Sequence, residues 1–242
     1  MVLGIRAVGE TVLRGTGVEP ASFLARWCRE QFGPACAPDA AALYEDLFAA
    51  YFVRESAELP DEHILLDGMA KMVGAQARHI LCGIVWEPKV EFQKRILNIG
   101  SEDEFLDYYF RGTGEGLARL YSLHGRLLDL LPRVPAERQS FFTANLPVQT
   151  KILIGLYEHA HFMCAAARAR RAGEDPASWR LHAARAVHGL ENAIDACGRA
   201  SHGKWRHWYR GDKKLDLRSF RDASREILRQ EDEKPIENQT TS

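Results

Sequence analysis

Residues 147–172, PVQTKILIGLYEHAHFMCAAARARRA, constrain the fold more than any other part of this chain. The run opens on Pro147, where a missing amide hydrogen does no harm to a helix, and it closes at Gly173. Between them, apolar residues recur on almost every side of a 3.6-residue period. A helix of that kind is stable only when other elements surround it. The spacing therefore predicts a long central helix and leaves the remaining chain to enclose it.

The neighbouring segments have the same period. EPASFLARWCREQFG places Phe23, Leu24, Trp27, Cys28 and Phe32 on one side, with Pro20 in the first turn and Gly33 as the stop. PDAAALYEDLFAAYFV follows, with Leu43, Leu47 and Tyr51 spaced by four beside Tyr44 and Phe48. Residues 61–82 read as a third helix weakened by Gly68 and Gly74. Segments 89–98 and 102–110 are shorter candidates. GTGEG at 112–116 reads as a loop opening the amphipathic helix 114–131, which Pro132 and Pro135 close. A short helix at PAERQSFFTANL and helices over 176–200 and 216–230 complete the set. Only MVLGIRAVGETVL suits a strand. The expectation is an all-α bundle of roughly eight helices with no substantial sheet. It divides into an N-terminal linker or strand (1–19), a helical domain (20–230) and a disordered acidic tail (231–242). Leu47, Phe48, Leu120, Leu127, Ile152, Leu156 and Leu190 are expected in its core.

Composition narrows the function classes. The net charge is −1 over 242 residues, so no global field attracts nucleic acid or a membrane. The charge is uneven: residues 199–229 hold ten Lys/Arg against four Asp/Glu, while 231–237 hold four acids against one lysine. No apolar run approaches a membrane span, and the start lacks the apolar core of a signal peptide. The five cysteines are odd in number and form no CxxC pair, which predicts free, mostly buried thiols. The chain as written is expected in the cytoplasm; if it is a piece of a longer protein, that parent can be secreted.

Catalytic motifs are sparse. No GxSxG, SxxK or catalytic-cysteine signature occurs, and GTGEG lacks both the six-position dinucleotide pattern and a preceding buried strand. YEHAHFM sets His159 and His161 about 200° apart on a helix, so one face cannot offer both to a single ion. Glu158 and His161, at i and i+3, form one Glu-x-x-His pair, and His188 with Glu191 gives a reversed one. A bundle metal site would draw on Glu158, His161, His188 and Glu191; the plain alternative is that these are ordinary core or surface groups. No cofactor is expected.

GKWRHWYRGDKKLDL, residues 203–217, concentrates two tryptophans, a tyrosine and five Lys/Arg side chains. Trp205 and Trp208 share a helical face, with Tyr209 four residues from Trp205. Flat rings stack on the apolar faces of sugars, and Lys204, Arg210 and Asp212 suit hydroxyls or a uronate carboxylate. Single-stranded nucleic acid uses the same ingredients, yet no basic fold-level motif accompanies them, so nucleic acid is not an expected partner. The remaining alternative is a helix end whose rings cap the core while the cations are solvated.

FLARWCREQFGP, then ERQSFFTANLPVQTKILIGLYEHAHFMCAAARARRAG, then an alanine-rich helix running into GKW, together resemble the helical region of glycoside hydrolase family 115, the α-glucuronidases acting on glucuronoxylan, or the helical region of a related polysaccharide-degrading family. The matching positions are Trp27, Phe32-Gly33, Phe141-Phe142, Pro147 and Gly203-Lys204-Trp205, and the likeness covers residues 20–55 and 135–210. In that family the region follows a catalytic (β/α)8 barrel, a fold of about 250 residues that has no counterpart here. After Trp205 the sequence departs from the family pattern, so no ligand-facing role passes to Trp208 and Tyr209. The resemblance implies a non-catalytic helical domain that supports a barrel or a homodimer and contributes to a carbohydrate site. A metal enzyme built on Glu158 and His161, and a plain protein-interaction module, are the competing expectations.

Overall fold

The computed structural model describes residues 19–50, 52–54, 63–85, 99–200 and 216–232, and within these the chain is an all-α bundle. Helix α1 (Pro20–Phe32) starts where the Glu19 carboxylate accepts from the Ala21 and Ser22 amides, at 3.0 and 2.6 Å. It stops at Gly33, and buries Phe23, Leu24, Trp27, Cys28 and Phe32 as the period requires. Helix α2 (Ala37–Ala50) buries Leu43, Tyr44 and Leu47. Phe48 departs from the expectation: it is 44% exposed, tilted against Tyr44 at the edge of the core.

The short strands β1 (Phe52–Arg54) and β2 (His63–Leu65) pair antiparallel, Phe52 opposite Leu65. Helix α3 (Leu66–Leu81) leaves β2 directly, so the expected helix 61–82 begins several residues late. The pairing backbone of β2 takes the part of the segment that periodicity alone assigned to a first turn. The strand reading of the first residues and the helix 89–98 lie outside the described residues.

A larger correction falls on residues 102–131. One continuous helix, α4 (Glu102–Leu130), replaces the two expected helices and the glycine loop between them. It begins at a capping box: the Glu104 amide donates to Ser101 Oγ at 3.2 Å, and the Glu104 carboxylate accepts from the Ser101 amide at 3.2 Å. Ser101→Ala should lower stability by about 1 kcal/mol in a urea titration. The helix survives Gly114 and Gly116 because a neighbour needs the space, whereas a side-chain carbon on Gly112 would meet nothing within 4 Å. A side-chain carbon on Gly116 would sit 2.8 Å from Tyr157 Cδ1, and one on Gly114 would sit 3.2 Å from His161 Cε1. Tyr157 is in turn held by its hydroxyl, which donates to the Ala50 carbonyl at 3.1 Å. Close packing against two large rings outweighs the cost of helical glycine, roughly 0.5–1 kcal/mol each.

A 3-10 turn (Leu131–Arg133) and the short helix α5 (Ala136–Asn145) lead into α6 (Pro147–Arg171), which ends where Gly173 takes a φ of 71°. Helix α6 is the central element that its sequence predicted, buried on most sides by α3, α4 and α7 (Pro176–Ala200). The α6–α7 pair is the most extensive among the described residues, and its seam is built of small residues: Ala160, Ala166, Ala167, Ala183, Ala186 and Ala193 are fully buried. Helix α8 (Leu217–Asp232) rests on α7 and lays Phe220 beneath Lys71 of α3, whose ammonium lies 4.7 Å from the ring centroid. Of the core expectations, Leu47, Leu120, Leu127, Ile152, Leu156 and Leu190 are buried. All five cysteines are free, and Cys82 alone is exposed, at the end of α3. Among the described residues no helix is long and apolar enough to cross a membrane.

Candidate functional site

Glu158, His161 and Phe162 project from α6 into the seam between α4 and α7. There the Tyr121 hydroxyl of α4 donates to Glu158 Oε1, while Oε2 is buried without a partner among the described residues. His161 Nδ1 lies 3.1 Å from the Phe110 carbonyl and 3.3 Å from Thr113 Oγ1, so Nδ1 carries the proton and Nε2 keeps its lone pair. The imidazole stacks on Phe110 with centroids 4.4 Å apart, and the Arg168 guanidinium covers that ring at 4.5 Å. From α7, Arg185 lies 3.9 Å over Phe162, and His182 stacks against the same ring.

The electrostatics favour neutral His161 and neutral Tyr121. Burial, and then the Arg185 and Arg168 cations, hold the His161 imidazole below its usual range, with the Phe110 carbonyl opposing them. Burial first, and then the Glu158 carboxylate, push the Tyr121 phenol upward. Tyr121 is committed as a donor and is no ready nucleophile. The arrangement binds and orients, with planar cations layered on aromatic rings.

The four candidate metal ligands are not gathered into one set. His188 and Glu191 sit on the outward side of α7, 3.6 Å apart, and Glu191 also pairs with Arg225 of α8. Glu158 and His161 share a stripe of α6 but engage Tyr121 and the Phe110 carbonyl respectively. Among the described residues no group of three or more His, Cys, Asp or Glu side chains can hold a metal ion. Lys204, Trp205, Trp208, Tyr209, Arg210 and Asp212 lie outside the described residues.

A second constellation escaped the sequence reading. Where α4, α5, α6 and the end of α7 meet, a cavity of about 310 Å³ is lined by His124, Leu128, Ser140, Thr143, Ala144, Pro147, Val148, Lys151 and Arg199. His124 Nε2 is buried there without a partner among the described residues, and burial followed by the nearby Lys151 cation lowers its pKa. These residues come from four helices and none belongs to a recognisable motif. The only hint in the sequence is that His124, Lys151 and Arg199 each interrupt a predominantly apolar or alanine-rich helix.

Comparison with protein-family models, with curated proteins and with solved structures finds no match to this chain.

Proposed function

We propose that the chain is a non-catalytic helical domain of a polysaccharide-degrading system. It packs against a catalytic barrel or a second copy of itself, and residues 203–213 contribute to a site for a uronate-bearing sugar. One observation supports this reading above the others. Of the positions that carry the resemblance to the α-glucuronidase helical region, Trp27, Phe32, Phe141 and Phe142 are far apart in sequence, yet they meet in space. Trp27 packs edge-on to Phe32 at 5.6 Å and against Phe141 at 6.2 Å, and Phe32 meets Phe142 edge-on at 5.2 Å. A side-chain carbon on Gly33 would touch Pro135 at 3.6 Å, so α1 and the start of α5 close together at that point. Such a cluster is a fold signature, since its rings serve burial and leave any ligand role to other residues. The metal-enzyme reading has less support, because Glu158 and His161 are occupied by Tyr121 and Phe110.

Two measurements test the reading. Purified protein should release no glucuronic acid from glucuronoxylan fragments, since that chemistry needs a positioned acid and a carboxylate partner. Steady turnover abolished by a single Asp or Glu substitution would refute the non-catalytic half. Acidic xylo-oligosaccharide should change tryptophan fluorescence saturably, and the change should vanish in Trp208→Ala. No response at millimolar ligand would remove the sugar site.

A further inference from the structure

We propose that the cavity between α4, α5, α6 and α7 is a binding site for a small organic oxyanion, a carboxylate or phosphate ester carried on an apolar body. Its lining separates into two sets. Leu128, Ala144, Pro147 and Val148 provide an apolar wall, while His124, Ser140, Thr143, Lys151 and Arg199 bring hydrogen-bond donors to the same space. None of the lining side chains is acidic.

The donors are largely uncommitted. Within the described residues His124 Nε2 is buried and unpartnered. Lys151 forms no ion pair there, and the Ser140 and Thr143 hydroxyls form no hydrogen bond. Arg199 is tied to Asp195 at 2.5 Å, one turn back on α7, which steadies its guanidinium at the rim. A buried, unsatisfied imidazole nitrogen costs free energy that a bound hydrogen-bonding partner recovers. The Lys151 charge already disfavours protonated His124, so the space is electropositive before any ligand arrives. Helix α6 begins at this wall with Pro147 and no side-chain cap, adding the positive end of its dipole to the same field. Neutral imidazole, ammonium, guanidinium and two hydroxyls are the donor set that oxyanions select, and charge-assisted bonds to them are the strong ones. The volume lies at the small end of ligand pockets, enough for one ring and its acid group.

The site needs nothing from residues 203–213, so it stands or falls apart from the sugar reading. The test is amide-resolved NMR of the full chain titrated with benzoate, phenyl phosphate and, as the neutral control, benzyl alcohol. Either anion should shift the amides of residues 140–151 and those around His124 saturably at low-millimolar concentration, while benzyl alcohol should not. The tighter of the two anions identifies the ligand class. Lys151→Gln should weaken binding about tenfold, the loss expected for one charge-assisted contact. Thr143→Val should weaken it by a smaller factor, and both variants should retain the parent spectrum elsewhere. Equal shifts with benzyl alcohol, no shift with either anion, or an unaltered Kd in Lys151→Gln would each overturn the proposal.

Discussion

Gly155→Ala should destabilise the protein by about 3 kcal/mol, far more than one added methyl group costs at an ordinary helical position. Gly155 faces Gly189 across the α6–α7 seam, where the two backbones touch. A side-chain carbon on Gly155 would lie 2.9 Å from both the Cβ and the amide nitrogen of Ala193, and closer still to the Gly189 carbonyl oxygen. From the other side, a carbon on Gly189 would lie 2.7 Å from Glu158 Cβ and 2.8 Å from the Gly155 carbonyl. A flexible side chain could swing away from such a clash, but a backbone carbonyl cannot. The helices would have to separate, opening the alanine seam along their length and losing contacts that close packing supplies. Gly125 is the control within the same molecule. It lies inside α4 with nothing within 4 Å of the added carbon, so Gly125→Ala should stabilise by roughly 0.5–1 kcal/mol through the unfolded chain. Urea unfolding of the two variants beside the parent measures both effects. A Gly155→Ala loss under about 1 kcal/mol would mean the seam yields more readily than its geometry implies.

That seam also explains what could be read from the sequence and what could not. The 3.6-residue period is local, so α1, α5, α6, α7 and α8 emerge near their expected bounds, with Pro20, Pro147 and Gly173 acting as punctuation. Glycine is ambiguous in the same reading. Gly112–Gly116 looks like a loop when only neighbours in sequence are considered. It is helical, and at Gly116 and Gly114 Tyr157 and His161, more than forty residues later, fill the space that side chains would have taken. Phe48 fails for a related reason: periodicity places it beside the buried stripe of α2 but cannot say how far the core covers that face. The candidate site follows the same division. Glu158 and His161 could be noticed because they are close in sequence, whereas their partners Tyr121, Phe110 and Thr113 come from another helix. The cavity around His124 and Lys151 left only a faint local trace, polar residues interrupting apolar helices, since its donors converge only once four helices have packed.

His159 should make the fold sensitive to acid between pH 6.5 and about 4. Its side chain is fully buried at the heart of α6, and neither ring nitrogen has a hydrogen-bond partner among the described residues. The ring fills a notch left by Gly74 of α3: a carbon there would lie 2.5 Å from His159 Nε2. Burial holds the imidazole pKa at about 4, with the Ala186 backbone pulling the other way and the Arg78 cation reinforcing the depression. The sign follows from which state binds the proton. Above pH 6.5 the residue is neutral in both folded and unfolded chains, and the fold keeps its full stability. As the pH falls below 6.5, the unfolded chain takes up a proton that the folded one refuses, so stability drops until the folded pKa is reached. At about 1.4 kcal/mol per pH unit the loss amounts to on the order of 3 kcal/mol. His124 and His161, whose pKa values are also lowered by burial, add to the raw acid sensitivity, so the measurement must isolate one residue. Urea unfolding at pH 7.5 and pH 4.5 should show a smaller stability difference in His159→Leu than in the parent, by about that amount. Direct NMR titration of the His159 ring provides the independent check, and a measured pKa near the ordinary 6.5 of histidine would mean that water or a partner reaches a nitrogen the packing leaves dry.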